Sequence, residues 1–245
     1  SIMENTKREC SVMDKMKNIN RECCSGPDRV MLLSLLKCCG LNASRRRYVH
    51  HQVVLHGLES DVVLASALVD INAKCGSLTK AQEMFEKLIT PDITSWNALI
   101  VGYVQARENA MVFFLFDRMR KVNQKANAIT FINVLRACRQ AHLMEKGITY
   151  FQLISRDYGI IPTVEHHACI VDLFARVGQI DMALAMVKRL PFNPDLDVWH
   201  TVLGSCRKCG NVELGKEVFK NAVSIGKQHA ASYVLMSHIY SGVAT

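Results

Sequence analysis

The sequence has no apolar run long enough to cross a membrane. A membrane-spanning helix needs about 18 or more consecutive apolar residues, and polar or charged residues interrupt every apolar stretch of the 245-residue chain before that length. The sequence also lacks a long linker that would separate one folded segment from the next. We therefore predict one continuous array of structural elements and no membrane segment.

Two further absences concern cysteine chemistry. The chain has ten cysteines but no secretory signal, which predicts reduced thiols and no disulfides. Cys206 and Cys209 have the spacing of half a zinc site, yet the second pair that a structural zinc ion requires is missing, because the other close cysteines are adjacent and lie in other segments. The sequence therefore predicts no bound metal and no cofactor.

Acidic residues are fewer than basic ones. The 30 lysines and arginines outnumber 22 aspartates and glutamates, giving a net charge of +8 and a pI of about 9.0. This balance permits a polyanionic partner without identifying one. Most lysine and arginine side chains lie on the solvated surface of a protein. Nine of them here are candidates for phosphate contacts, and the cluster at 45–47 is the strongest candidate among these: Arg45, Arg46, Arg47, Arg118, Arg120, Lys121, Arg136, Arg139 and Arg156.

One stretch of sequence is present twice. LVDINAKCGSLTKAQEMFEKL at residues 68–88 returns without a gap as IVDLFARVGQIDMALAMVKRL at residues 170–190, an offset of 102 residues. That offset is about three times 34, the period of helix-turn-helix repeats. The identical positions are Val69/Val171, Asp70/Asp172, Ala73/Ala175, Gly76/Gly178, Ala81/Ala183, Met84/Met186 and Leu88/Leu190.

Each copy encodes two helices joined by a turn. The apolar residues of the second copy between residues 170 and 177 fall at i, i+3, i+4 and i+7, a spacing that buries one face of a helix. A second apolar stripe begins after Gly178, as it does after Gly76 in the first copy. Glycine is favoured there because a helix commonly ends in a left-handed residue.

The same hairpin recurs along the chain. Apolar pairs within the first helix return every 31 to 36 residues, at Leu35/Leu36, Leu68/Val69, Leu99/Ile100, Val134/Leu135, Ile170/Val171, Val202/Leu203 and Val234/Leu235. Helical hairpins of this period stack on their neighbours and form a solenoid with a long concave surface. The predicted fold is therefore an all-α solenoid of helix-turn-helix repeats.

The strings SWNALIVGY (95–103) and VFFLFDRM (112–119), with the unequal unit lengths, resemble plant-organelle pentatricopeptide repeat proteins that alternate long, short and standard repeats. The resemblance runs from about residue 10 to residue 240 and implies a right-handed superhelical solenoid. The implied units are a partial repeat (1–28), a long repeat (29–61), a short repeat (62–92), a standard repeat (93–127), a final long repeat (128–163) and a final short repeat (164–195).

The end of the chain is similar to the extension motifs of RNA editing factors. VWHTVLGSCRKCGNVELGKEVF (198–219) resembles the motif that follows the last repeat, here 196–229, and SYVLMSHIYS (232–241) resembles the start of a second one, here 230–245. Both termini fall within helical patterns. We therefore expect the natural protein to continue in both directions, with further repeats toward its amino end.

The resemblance implies that single-stranded RNA binds along the concave face with one base per repeat. In this family the fifth and last residues of a repeat select the base. Ser66 with Asp92 then resembles the guanine reader, and Asn97 with Asn127 resembles the pyrimidine reader, with cytosine preferred. The second-position residues Val63 and Ile129 would flank the bases as apolar clamps.

Three other pairs depart from the family pattern. Leu33 with Asp61 and Ile132 with Thr163 have an apolar fifth residue that cannot hydrogen-bond a base, and Ala168 with Asp195 lacks a selecting side chain. The two pairs that fit the family pattern, Ser66/Asp92 and Asn97/Asn127, would together supply roughly 2 to 6 kcal/mol of discrimination between matched and mismatched bases. That is too little to single out one transcript among ~10⁶ competing sites.

Two kinds of residue have a simpler interpretation. Without the repeat register, Asn97 is a surface or capping residue, and only the register makes it a base contact. Trp96 and Trp199 occupy the same place in their units, which predicts packing between hairpins in preference to stacking on bases.

The resemblance implies an RNA-binding protein of the mitochondrion or chloroplast that specifies sites for cytidine-to-uridine editing. A zinc deaminase needs H-x-E followed by P-C-x-x-C, and the chain has no H-x-E, so we predict no enzymatic activity. The deaminase would be another domain or a protein acting in trans, and small organellar editing-factor proteins are implied partners. Two alternatives remain: a structural subunit of an organellar ribosome or other ribonucleoprotein, and a tetratricopeptide-like scaffold that binds protein.

Overall fold

The computed structural model describes residues 27–39, 43–58, 61–190, 194–225 and 229–242. All regular secondary structure in these ranges is helical, as the sequence periodicity predicts. The helices are α1 (Arg29–Cys39), α2 (Ala43–Leu55), α3 (Val62–Lys74), α4 (Leu78–Glu86), α5 (Ile93–Gln105), α6 (Asn109–Lys121), α7 (Ala128–Gln140), α8 (Met144–Arg156), α9 (Val164–Arg176), α10 (Ile180–Lys188), α11 (Leu196–Cys209), α12 (Val212–Ile225) and α13 (Ala230–Ser241).

Each odd-numbered helix begins at the first residue of one of the seven units that follow the predicted partial repeat, which are residues 29, 62, 93, 128, 164, 196 and 230. In the order of the chain these are α1, α3, α5, α7, α9, α11 and α13. The assignment of those units to long, short and standard classes stays a prediction. Most of the predicted partial repeat, residues 1–26 of 1–28, lies outside the described residues.

The chain divides into two compact units, Ser1–Ala106 and Arg107–Thr245. In the first, α3 packs against α1, α4 and α5. Its core contains Trp96, which is 2% exposed and meets the Phe85 ring edge-to-face with centroids 4.6 Å apart. An aromatic pair in this geometry contributes about 0.5–1.5 kcal/mol beyond the area it buries. The predicted packing role of Trp96 is confirmed.

In the second unit, α7 packs against α6, α8 and α9, and α11 packs against α9, α10, α12 and α13. Phe116 of α6 and Phe131 of α7 are fully buried, with ring centroids 5.5 Å apart. Trp199 is buried in α11, so the prediction of a packing role is confirmed for this residue too. Successive hairpins therefore share apolar contacts with their neighbours within each unit, which is how a helical repeat buries its faces.

The described turns inside the hairpins share one backbone conformation. Gly76 and Gly178 have φ of +74° and +84°, which confirms the predicted left-handed residues. Arg107 and His142 adopt the same conformation at the equivalent turns, with φ of +61° and +55°. Residues with a Cβ pay a cost of about 1–2 kcal/mol there. The geometry of the hairpin turn is thus maintained even where glycine, its sequence signal, is missing.

In the part of the chain that the structure describes, no helix is long and apolar enough to cross a membrane. The longest described helices, α11 and α12, have 14 residues each.

Candidate nucleic-acid interface

The first unit contains a groove that unites one predicted base-reading pair. Ser66 lies on α3, and its Oγ donates a hydrogen bond to Oδ1 of Asp92 at 3.0 Å, although the residues are 26 positions apart. Both line a cavity of about 750 Å³, together with the second-position residue Val63. The structure therefore brings together the three residues that the repeat register assigns to the recognition of one nucleotide.

The burial of these residues defines how a ligand could reach them. Val63 is 45% exposed, so its apolar side chain is available for contact, whereas Ser66 is only 3% exposed and lies at the bottom of the groove. Asp92 is half-buried, and its Oδ1 also accepts the backbone N–H of Ser95 at 2.8 Å. Oδ2 takes part in neither of these two bonds. A base in the groove would meet a carboxylate that is held in place by its own protein contacts.

Asp92 has a second role that sequence reasoning missed, because it is the N-cap of α5. The last residue of every unit from 29–61 to 164–195 is likewise the N-cap of the next helix: Asp61, Asp92, Asn127, Thr163 and Asp195. Asp, Asn and Thr are preferred caps because their side-chain oxygens accept helix N–H groups. The sequence does contain a signal for such caps, since the strings GPD (26–28), TPD (90–92) and NPD (193–195) each place an acidic residue directly before an apolar stripe.

The second predicted base-reading pair is placed differently. Asn97 is buried in α5, with 9% of its surface exposed. Oδ1 of Asn127 accepts the backbone N–H of Thr130 at 3.0 Å, which forms a capping box with the Thr130 hydroxyl. Asn97 belongs to the first compact unit and Asn127 to the second. Their joint contact with one base stays a prediction, whereas the cap on α7 is observed.

The residues that depart from the family pattern have local structural roles. Leu33 lines the groove beside Ser66, and Asp61 accepts the N–H groups of Val63 and Leu64 at 3.0 Å each while pairing with Arg29 at 3.0 Å. In the second unit Ile129 is 54% exposed, as expected for an apolar clamp. The remaining residues are half-buried Ile132 and Ala168, and exposed Thr163 and Asp195.

A histidine that the sequence did not single out lies fully buried at the start of α9. The backbone N–H of Thr163 donates to Nδ1 of His166 at 3.1 Å, and Nε2 lies 3.0 Å from the carbonyl oxygen of Ala128. An acceptor at Nδ1 and a donor at Nε2 define the neutral imidazole. Burial lowers the pKa of His166, since the charged form would be desolvated and would lose the Nδ1 acceptor.

The basic residues proposed for phosphate contact differ in their surroundings. Arg139 and Arg176 both pair with Asp172, at 3.0 and 2.9 Å, and so hold that carboxylate between two helices of the second unit. Arg156 donates to Asp157 at 2.6 Å, and this hydrogen bond lowers the pKa of the Asp157 carboxyl. Arg136 is exposed on α7. In the 45–47 cluster only the side chain of Arg47 is described, and it is exposed.

The CxxC thiols occupy contrasting environments. Cys206 is fully buried, and desolvation raises its pKa to about 11, whereas Cys209 is exposed. The described residues contain no group of three or more His, Cys, Asp or Glu side chains placed to hold a metal ion. A buried thiol with a raised pKa behaves as a small apolar core residue.

Comparison with known proteins identifies the repeats. A model of the PPR (pentatricopeptide repeat) family matches residues 91–140, and a PPR repeat model matches residues 197–226. A mitochondrial pentatricopeptide repeat-containing protein of Arabidopsis thaliana is 36% identical over 218 residues, covering 88% of this chain and 24% of that protein. The chain belongs to the pentatricopeptide repeat family. The chloroplastic pentatricopeptide repeat protein CRR2 of the same plant is 34% identical, covering 89% of this chain and 33% of its own length.

Solved structures share the fold at low sequence identity. The pentatricopeptide repeat protein PPR10 in complex with an 18-nt psaJ RNA element has a TM-score of 0.80 at 20% identity, over 97% of this chain and 36% of that one. The PPR domain of Arabidopsis thaliana protein-only RNase P 1, in complex with tRNA, has a TM-score of 0.62 at 15% identity, over 74% of this chain and 98% of that one. These likenesses establish the helical repeat fold. This pentatricopeptide repeat chain spans about a quarter to a third of the length of the two curated relatives named above.

Proposed function

We propose that this pentatricopeptide repeat chain binds single-stranded RNA in a mitochondrion or chloroplast, with one base facing each repeat. The observation that carries the proposal is the Ser66–Asp92 hydrogen bond of 3.0 Å at the bottom of an open groove flanked by Val63. The organelle is supported by the relatives, which include mitochondrial and chloroplastic proteins. RNA as the ligand is supported by the PPR10 complex, whose chain shares this fold.

Guanine fits the Ser66–Asp92 pair on chemical grounds. A carboxylate only accepts hydrogen bonds, and the Watson–Crick edge of guanine presents an imino and an amino group as donors. Asp92 is held by its cap to α5, so its orientation is fixed before RNA binds. Preorganised polar groups cost less to order on binding. The Asn97 and Asn127 amides, which both donate and accept, suit a pyrimidine at the next nucleotide.

The finer part of the proposal is that this binding specifies sites for cytidine-to-uridine editing. The support is the resemblance of residues 196–229 and 230–245 to the extension motifs of editing factors. Catalysis would come from a deaminase domain or from a deaminase protein in trans, because the chain has no H-x-E motif. Small organellar editing-factor proteins are the proposed protein partners.

Binding to short unstructured RNAs tests the proposal. Fluorescence anisotropy at fixed salt should show tighter binding to an RNA with G followed by C than to one with U followed by C, by about fivefold to a hundredfold for one base contact. Ser66→Asn should shift the preference from G toward U. The matched control is Ser34→Asn, which changes an exposed serine on α1 whose Oγ donates to the Val30 carbonyl, and it should keep the preference for G.

The rival functions predict different results in the same assay. A structural subunit of a ribonucleoprotein would bind the G and U oligonucleotides equally, and a protein-binding scaffold would bind neither. Equal binding by the wild type would remove the base assignment, and the absence of binding would remove the RNA proposal altogether.

A further inference from the structure

We infer that the 196–229 extension motif contacts one further nucleotide through His200 and His229. This inference rests on the proposed RNA-binding function and extends it beyond the repeats to which a base was assigned. In the register that places Ser66 and Asp92 at the fifth and last positions of 62–92, the same positions of 196–229 are His200 and His229.

The two imidazoles lie close together in the second unit. His200 is on the first turns of α11 and His229 immediately precedes α13, and their ring centroids are 6.1 Å apart at an interplanar angle of 61°. The residues are 29 positions apart in the chain, so their proximity comes from the packing of α13 against α11. The fifth and last residues of this motif therefore meet, as those of the 62–92 repeat do.

A hydrogen bond fixes the first of these rings. Nε2 of His200 lies 2.8 Å from Oγ of Ser232, which is fully buried at the third position of α13. In the 62–92 repeat the fifth residue likewise bonds to the start of the next first helix, there through Asp92. The His200 ring is thus oriented by the following helix, while Nδ1 takes no part in that bond.

The second ring is exposed and does not cap its helix. His229 is the N-cap of α13 with extended backbone angles, but its side chain forms no capping hydrogen bond. The carboxylates of Asp92 and Asp195 at the equivalent positions do cap the helices that follow them. A residue that occupies the cap position without capping leaves an exposed imidazole beside His200.

This arrangement suits stacking on a base more than recognition of its edge. A neutral imidazole has one donor and one acceptor, which limits its choice between bases, whereas its flat face can stack on any of them. Stacking on an aromatic side chain contributes about 1–3 kcal/mol per base. We therefore assign to His229 a stacking contact with one nucleotide, which should be stronger for a purine base. His200, which lies beside His229, is assigned the role of positioning the His229 ring for that contact.

An abasic substitution tests the inference with the wild-type chain. An RNA carries the G and C of the proposed function, then two constant nucleotides, and then adenine, uracil or an abasic site at the nucleotide facing 196–229. Adenine should bind about tenfold more tightly than the abasic site, the size of one stacking contact, with uracil between them. Equal affinity for adenine and the abasic site would overturn the inference.

Variants locate the contact. His229→Ala and His200→Ala should reduce the adenine-to-abasic ratio toward one while keeping the preference for G over U at the Ser66–Asp92 groove. His238→Ala changes another exposed histidine of α13 and should leave both preferences unchanged. Since the ratio compares two RNAs on the same protein, partial loss of folding does not imitate the effect.

The outcomes separate this inference from the proposed function. If the wild type discriminates G from U but ignores the abasic site, only the His200–His229 contact is wrong. If His229→Ala retains the full adenine-to-abasic ratio, the contact belongs to other residues and the inference is likewise wrong. If the wild type binds none of the RNAs, the proposed function and the inference both fail.

Discussion

At the residue scale, Asp92 combines a cap and a candidate base contact in one carboxylate. Its Oδ1 accepts both the Ser95 N–H and the Ser66 hydroxyl. Asparagine caps helices about as well as aspartate, so Asp92→Asn should change the free energy of unfolding by less than about 0.5 kcal/mol. The amide both donates and accepts, which suits adenine better than guanine.

The expected outcome for Asp92→Asn is thus a changed preference without a changed stability. Urea unfolding measures the free energy of unfolding, which should stay constant. Fluorescence anisotropy with G and A oligonucleotides measures the base preference, which should shift from G toward A. Asp195→Asn is the control, because Asp195 also caps a helix, through the Val198 N–H at 3.0 Å, but lies outside that groove. Loss of stability in Asp92→Asn with an unchanged preference for G would show that the residue serves the fold alone.

A second residue-scale prediction concerns His166 and pH. Its pKa is lowered in the folded chain by burial, so the unfolded chain, with an ordinary pKa near 6.5, binds a proton more readily. The His166 contribution to stability is therefore fully present above about pH 6.5 and is lost as the pH falls through that value toward the lower folded pKa. The free energy of unfolding should decrease between pH 7.5 and pH 5.5, the window of this titration.

His166→Gln tests that assignment, since glutamine cannot take up the proton. Urea unfolding at the two pH values should show a smaller difference for the variant than for the wild type. His142→Gln removes an exposed imidazole instead and should leave the pH dependence of the wild type in place. A wild-type difference that survives in His166→Gln would assign the pH dependence to other groups.

At the element scale, small residues determine how closely helices pack. A Cβ added to Gly102 of α5 would lie 2.8 Å from the Ala73 Cβ of α3 and 2.8 Å from Cδ2 of Leu78. Gly204 of α11 has open space around it, with no atom within 4 Å of an added Cβ. The same substitution, glycine to alanine, should therefore have opposite effects at the two positions.

Gly102→Ala is expected to destabilise the chain by about 1–3 kcal/mol because the α3–α5 contact must widen. Gly204→Ala should stabilise it by up to about 1 kcal/mol through helix propensity. Urea or thermal unfolding measures both. If Gly102→Ala were as stable as the wild type, the close approach of α3 and α5 would be disproved.

Much of this element-level structure could be predicted from sequence, and the failures have a physical cause. Periodicity located the hairpins because each helix buries one stripe against its neighbours, and it placed Trp96 and Trp199 in the core. The left-handed turns at Arg107 and His142 could not be predicted in this way, because no glycine marks them in the sequence. His166 was missed because its partner carbonyl belongs to Ala128, 38 residues earlier in the chain.

The candidate site was predictable to a similar degree. The repeat register alone pairs Ser66 with Asp92, because a repeat brings equivalent positions to equivalent places. The register did not reveal that the side chains of Asp92 and Asn127 also accept backbone N–H groups as N-caps of the helices that follow them. Capping depends on backbone angles at one residue, and a pattern of residue types describes those angles only indirectly.

At the scale of the whole molecule, the net charge of +8 should make the proposed RNA affinity depend on salt. For a single strand, the logarithm of the binding constant falls by about 0.7 per phosphate contact for each tenfold rise in salt. Arg136 is exposed on α7, at the ninth position of its unit, where Asp70 of the 62–92 repeat lines the groove. Arg136→Gln should therefore reduce the slope by about 0.7.

Arg156→Gln is the matched control for this last prediction. Its guanidinium is already paired with Asp157 at 2.6 Å, so removing it should leave the salt slope unchanged while altering the net charge by the same one unit as Arg136→Gln. Both variants carry the same total charge, and a difference between them must come from position. Equal salt slopes of the binding constant in the two variants would mean that Arg136 makes no phosphate contact and that the net positive charge attracts RNA only through its long-range electrostatic field.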